Sequence, residues 1–380
     1  MPVRPGMSPD GLFDAIYARG PVAAQVDGHA WLTAMLDVEA ALARACAAER
    51  SIPAASASAI ADACRVERFD LAAIAQAAGD SATPVIAIVA ALREAVGEQV
   101  APHVHFGATS QDIIDTAAML VTRRALGPLL FDAGVAASAA AALASEHRAS
   151  RMAGRTLLQQ AQASTFGLRA AGWLVGLEEA CAGLRVVEEG RLAVQMGGPV
   201  GTRAPQIAAR VGAALGLAEP TLPWGAIRVR PAQLASALGV LAGVLGKVAG
   251  DVALFSQTEV GELREGGGTG RGRSSAMAHK HNPVASVSVL ACTTRVPGLV
   301  ATVLAAMAQE HERAAGSWQA EWGTLADLLT LVGSAAAWSA DLLVNLEVDV
   351  DRMRENAVGL EGDLDAIDSL IDRALAVRSA

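Results

Sequence analysis

Between Ala232 and Phe255 the chain carries only two charged side chains, Lys247 and Asp251. A helix that is apolar on nearly every face cannot lie on a surface and must be surrounded by other helices. Apolar helical periodicity of this kind recurs over about 111–149, 157–190, 231–261, 284–312 and 321–346, and it predicts a central bundle completed by other subunits. The composition agrees. Hydrophobic residues make up 52% of the 380, but aromatics only 3%, and alanine, leucine and glycine dominate. Such a set favours closely packed long helices over a β-sandwich. No convincing alternating strand run stands out, so the expected fold is all-α.

A shorter amphipathic helix is expected over 30–50, with Leu32, Leu36, Val38, Ala41, Leu42 and Ala45 near one stripe. Pro102 and the HVHFGATS stretch mark a boundary. The expected organisation is an N-terminal helical domain over 1–105, a long-helix bundle over 106–346 and a short helical remnant over 347–380. Asn282-Pro283 should cap and open the helix from 284, and Pro297 should kink it.

Several function classes recede. A net charge of −9 argues against nucleic-acid binding, while leaving room for a local cationic site. Cys46, Cys64, Cys181 and Cys292 form no CxxC pair and read as buried hydrophobes of a reducing compartment. MPVRPGMSPDGLF holds no apolar signal core, and Lys247, Asp251, Asp327 and Asp341 interrupt the apolar runs. A cytoplasmic protein without a membrane span is expected. The glycine run before residue 273 lacks the GK[ST] of a phosphate loop. His103, His105, His279 and His281 lie in no metal-ligand pattern, so neither metal nor cofactor is expected.

Three polar segments break the apolar pattern. In the first, His105 to Asp112, the Thr109 and Ser110 hydroxyls at a helix start suit a carboxylate. The second, from Arg155, contains Gln159, Gln160 and Gln162, and buried amides are costly without partners. The third, GRSSAMAHKHNP over 272–283, follows Gly266, Gly267, Gly268 and Gly270 and reads as a mobile loop. In it Lys280 and Asn282 can hold an anion while a serine approaches.

In their order and spacing, HFGATSQD, GRTLLQQAQASTFG and SSAMAHKHNP resemble the fumarase/aspartase superfamily, whose signature loop has the form SSxMPxKxNP. LFDAIYA, AMLDVEAALARA, AAGWL, QTEVGEL and QEHERAAGSWQAEW are most similar to its bacterial 3-carboxy-cis,cis-muconate cycloisomerase family. The resemblance covers nearly the whole chain. It implies an L-aspartase-like long-helix bundle with a reduced C-terminal domain, a homotetramer with sites shared by three subunits, and a small tricarboxylate substrate. It also implies that a loop serine, Ser274 or Ser275, moves a proton beside a carboxylate. His105, Thr109, Ser110, Gln111, Gln159, Gln160, Lys280, Asn282 and Arg313 become the expected substrate-binding residues, with Arg264 a further candidate for the extra carboxylate.

The departures point the same way. Many superfamily members carry a histidine where this chain has Leu157 or Gln160, and a partner glutamate where it has Val287. Expelling water or an amine needs a general acid, worth roughly 10²–10⁴-fold. A carboxylate leaves without a proton, and its attack within one molecule gains from proximity. The missing pair therefore favours a lactone-forming enzyme over an adenylosuccinate-lyase-like one or a non-catalytic helical scaffold. Ala163 and Ala278 replace prolines and His281 an arginine, which loosens the loop and weakens its fixed charge.

Overall fold

The computed structural model describes residues 11–268, 270–274, 276–277 and 280–379. Thirteen α-helices follow one another among these residues. The first five are α1 (Asp14–Tyr17), α2 (Gly28–Ala48), α3 (Ala54–Ala63), α4 (Leu71–Ser81) and α5 (Val85–Val96). The long helices are α6 (Ser110–Glu146), α7 (Phe166–Gly190), α9 (Val229–Phe255), α10 (Val284–Ala305) and α11 (Ser317–Val344), with α8 (Pro205–Leu215) between the second and third. Two short helices, α12 (Val350–Asn356) and α13 (Ile367–Ala376), close the chain. The fold is a long-helix bundle, as expected, and one hydrophobic cluster runs from Val22 on the N-terminal side to Ala374 in α13. Buried alanines at 133, 136, 137, 140 and 144 let α6 approach its neighbours closely.

What pins these helices in register is ionic. Arg228, at the start of α9, is buried between Asp115 of α6 and Glu321 of α11. Its Nη1 and Nη2 donate to Asp115 at 2.7 and 3.0 Å, and its Nε donates to Glu321 Oε1 at 3.0 Å. Trp318 Nε1 donates to the same Asp115 at 2.9 Å, and Gln309 Nε2 to Glu321 at 3.1 Å. Burial by itself would lower the Arg228 pKa, but the two carboxylates raise it on balance. For Glu321, burial, with the nearby charge of Asp115, raises the pKa against the opposing effect of Arg228.

Two small antiparallel sheets accompany the all-α bundle, where no strand was expected. β1 (Arg151–Thr156) pairs with β2 (Gln159–Thr165), so 157–165 is not the start of a helix. Thr165 explains why: its hydroxyl accepts the Leu168 N–H and caps α7, delaying that helix to Phe166. Gln160-Ala161-Gln162-Ala163 is in fact an alternating run, and Ala163 and Thr165 face inward. β3 (Leu263–Glu265) pairs with β4 (Leu346–Val348). α9 and α10 end earlier than expected, at Phe255 and Ala305, where turns follow, whereas α11 begins at Ser317, four residues before the expected start at 321.

The β1–β2 turn is unusual. Thr156 pairs with Gln159, leaving Leu157 and Leu158 as a two-residue loop at φ +52° and +65°. Two positive φ angles suit Asn-Gly, not leucine, which carries a penalty of about 1–2 kcal/mol per residue there. Both leucines are also exposed, Leu157 at 96%.

The long helices are not fully covered. α6, α9, α10 and α11 each contain an 18-residue window with no more than two charges, so length and composition alone would let all four cross a bilayer. The charges expected to cut these runs short do not. In α11 78% of the window is buried, but in α10 only 28%. Val240, Val287, Leu304 and Val344 stand on open faces.

Two outcomes follow at fixed protein concentration. Glu321→Ala strands a buried guanidinium and should cost about 3–5 kcal/mol in urea unfolding; a loss below about 1 kcal/mol would contradict the role given to the network. Leu157→Asn with Leu158→Gly should raise stability by about 1–3 kcal/mol. A lower urea midpoint would instead mean that the tip makes stabilising contacts outside its own chain.

Candidate active site

The first polar segment is fixed from below. Asp112, fully buried near the start of α6, accepts N–H groups from Gly197 and Gly198 at 2.9 Å each and from Thr109 at 3.1 Å. Burial raises its pKa, and these donors together with Arg203 oppose the rise. Asp112 thus ties the 195–203 loop to the turn before α6. Sequence reasoning passed over it, although an acidic residue three positions after Thr109 is an N-terminal capping signal.

On this base the structure assembles a cationic cradle. Arg313 Nη2 donates to Thr109 Oγ1 at 2.7 Å, and its Nε donates to Gln111 Oε1 at 3.2 Å. Arg313 is exposed, and Ser110 is the first residue of α6 beside it. A guanidinium, a hydroxyl and a helix N-terminus meeting at one point suit a carboxylate. Gln111 is placed differently. Its Nε2 donates to Asp115 at 3.1 Å and to the Gly225 carbonyl at 2.6 Å, so this buried amide already has protein partners. It links Arg313 to the Asp115–Arg228–Glu321 network and orients the cradle. His105, in the preceding turn, bonds through Nδ1 to Glu39.

The glutamines lie on the hairpin. Gln159 is exposed next to the tip, and Gln160 Nε2 donates to the Asn356 carbonyl at 3.1 Å. The hairpin is rooted by Arg155, which grips the fully buried Glu262 at 2.6 and 3.0 Å. It is therefore a held arm with an apolar tip.

The third segment is a loop closed at its neck. Asn282 gives its backbone N–H and its Nδ2 to the Gly272 carbonyl, at 2.8 and 3.1 Å, and Arg273 bridges to His281. Gly272 sits at φ +71°, with an ideal Cβ 2.5 Å from the Asn282 carbonyl, so only glycine fits. Asn282 does not cap α10 as expected. Glu265 does, accepting the N–H groups of Ala285 and Ser286 at 2.8 Å each and the Ser286 hydroxyl at 2.7 Å. Pro283 leaves Asn282 one position too early and turned to the neck. Pro297 lies within α10.

Inside the loop, Ser274 Oγ accepts N–H groups from Ala276 and Met277 at 3.3 and 3.2 Å. Such donors shape the loop and also favour an alkoxide. Lys280 is exposed on the same loop. Ser275, Ala278 and His279 lie outside the described residues. Asn282, His281, Arg271 and Arg264 line one side of a cavity of about 790 Å³. Arg264 is paired with Glu347 at 2.8 Å, both exposed, and so is a surface ion pair. Among the described residues, no hydrogen bond or ion pair joins the cradle at Thr109 and Arg313 to the hairpin tip or the serine loop, and none of His105, Thr109, Gln159 or Gln160 lines that cavity. No His/Cys/Asp/Glu group suited to a metal ion occurs among the described residues.

Comparison with known proteins places these features in a family. The profile described as "Lyase" matches residues 10–298. The 3-carboxy-cis,cis-muconate cycloisomerase of Bradyrhizobium diazoefficiens is 46% identical over 348 residues, covering 89% of this chain and 77% of that protein. Nitrosuccinate lyase of Streptomyces davaonensis is 43% identical over 363 residues, covering 91% and 76%. The crystal structure of the 3-carboxy-cis,cis-muconate lactonizing enzyme from Pseudomonas putida superposes with a TM-score of 0.87 at 38% identity, covering 97% of this chain and 86% of that one.

If the cradle takes a carboxylate, Arg313→Ala should weaken calorimetric binding of a small tricarboxylate by about 10-fold or more, as loss of a charged hydrogen bond implies. Unchanged affinity would remove Arg313 from the site.

Proposed function

The chain belongs to the lyase family of the fumarase/aspartase superfamily, and from that premise we propose that it is a cofactor-free cycloisomerase converting 3-carboxy-cis,cis-muconate to a carboxymuconolactone. One observation carries the reading. The carboxylate-binding and loop residues are kept, while the histidine–carboxylate pair for protonating a poor leaving group is replaced by Leu157, Gln160 and Val287.

A substrate carboxylate oxygen attacks one carbon of the conjugated alkene and forms the ring C–O bond. The π electrons move to the neighbouring carbon, where an enolate-like anion is delocalised into a second carboxylate. Lys280 and the Arg313–Thr109 cradle stabilise that charge. A loop serine donates the proton that completes the lactone, and the Ala276 and Met277 N–H groups stabilise the alkoxide left on Ser274. In reverse the same alkoxide removes the proton and the carboxylate leaves unaided.

The separation of the three segments in one chain supports a site built from several subunits, and the open faces of α9 and α10 support a homotetramer. The same faces are what a buried bundle core requires, so a cytoplasmic enzyme of protocatechuate breakdown fits better than a membrane protein. In that assembly 1–105 and 347–380 flank the core formed by 106–346.

The likeness to nitrosuccinate lyase supports a second reading, because nitrite also departs without a proton. Purified protein is therefore offered 3-carboxy-cis,cis-muconate, nitrosuccinate and adenylosuccinate in parallel. Loss of diene absorbance with a lactone by NMR is expected from the first alone. Nitrite release without lactone formation would overturn the reading in favour of the second. Ser274→Ala and Ser275→Ala are then compared; at least one should lose about 10²-fold or more in kcat, and full activity in both would remove serine from the chemistry.

A further inference from the structure

The histidine–carboxylate pair missing from the second segment has a counterpart in the first. His105 Nδ1 lies 2.6 Å from Oε1 of Glu39, a residue of α2 that none of the polar segments contains. The Glu39 side chain is completely buried, and its Oε2 has no partner among the described residues. A carboxylate sealed among the leucines of α2 with a single hydrogen-bonding partner is costly. The interaction that keeps it there is the one with His105.

The histidine is held with equal care. Its backbone lies at φ +60°, in the left-handed region that few residues other than glycine enter. Arg203 Nη2 fixes the next carbonyl, that of Phe106, at 2.8 Å, and the Ala108 N–H closes the turn onto the His105 carbonyl. Strained backbone of this kind persists where surrounding contacts over-determine it. The imidazole keeps 14% of its side-chain exposure. Nε2 makes no hydrogen bond among the described residues and is not sealed from solvent, so the open edge of the ring carries it. This edge projects from the turn that leads directly to Thr109 and the Arg313 cradle.

We propose that Glu39 is a positioning residue for the reaction: its carboxylate holds a proton on His105 Nδ1 and fixes the ring so that Nε2 faces substrate. A carboxylate behind an imidazole sets which nitrogen carries the proton. Glu39 itself touches no substrate. His105 thereby becomes the oriented imidazole of a site in which the second segment offers none, and it meets the substrate at Nε2. The activity part of this inference rests on the lyase reading; the protonation part does not.

The test separates them. In ¹⁵N-histidine-labelled wild-type protein at pH 8, the His105 Nδ1 resonance, assigned with His105→Gln, should be that of a protonated nitrogen. Glu39→Gln keeps an acceptor oxygen and should preserve that signature, whereas Glu39→Leu should lose it while remaining folded and of unchanged oligomeric state. With whichever substrate the wild type turns over, Glu39→Leu should lose on the order of 10²-fold, mainly in kcat, and Glu39→Gln should recover a large part of it. An unprotonated Nδ1 in the wild type overturns the proposal whatever the enzyme acts on. Full activity in a folded Glu39→Leu overturns the positioning role. Should Glu39→Leu fail to fold, Glu39→Gln decides: loss of the protonated Nδ1 signature in it contradicts the proposal, and retention with substantial activity supports it.

Discussion

A single arginine buried between two carboxylates sets the frame on which the rest of the structure depends. Arg228 brings together the start of α9, the first turns of α6 and the first turns of α11, and it draws in Trp318 and Gln309. Such a network contributes little net stability compared with a well-packed apolar core, but misplacing any member strands a buried charge. It therefore selects one arrangement of helices whose leucine and alanine faces would otherwise slide. Its influence reaches the surface through Gln111, which bonds Asp115 on one side and Arg313 on the other. The Thr109–Arg313 cradle is the solvent-facing end of a chain of contacts that begins in the core.

Much of this was legible in the sequence. Near-continuous apolar helices specify a bundle, and the three polar segments hold positive-φ or exposed residues such as His105, Leu157 and Gly272. The hairpin escaped notice because QQAQAST is short and sits against a helix of the same apolar character. Its alternation competes with a 3.6-residue pattern that starts at Phe166. The capping of α10 by Glu265 was also invisible, since the acceptor comes from a strand some twenty residues earlier, while Asn-Pro offered a plausible local cap. Glu39 could not be found from spacing at all: it lies 66 positions from its histidine on an otherwise apolar helix. Arg313, by contrast, stands out in the sequence as a candidate, and its guanidinium donates to Thr109.

The chemistry follows from what the site keeps and what it lacks. In the proposed reaction the Thr109–Arg313 cradle and a serine loop with backbone donors on Ser274 stabilise negative charge beside a carboxylate. No histidine stands on the hairpin arm to protonate a leaving group, and the arm ends in two strained, exposed leucines. A leaving group that needs no proton fits such a site, which unites ring-forming addition of a carboxylate with its reverse.

The proposed reaction delivers one solvent-derived proton to the carbon beside a carboxylate as the ring closes. Lactonisation of 3-carboxy-cis,cis-muconate in D₂O, followed by NMR of the product, tests it directly. A lactone carrying one deuterium at that carbon, in a single configuration, is expected. Unreacted diene, or a lactone with deuterium in both configurations, would contradict it.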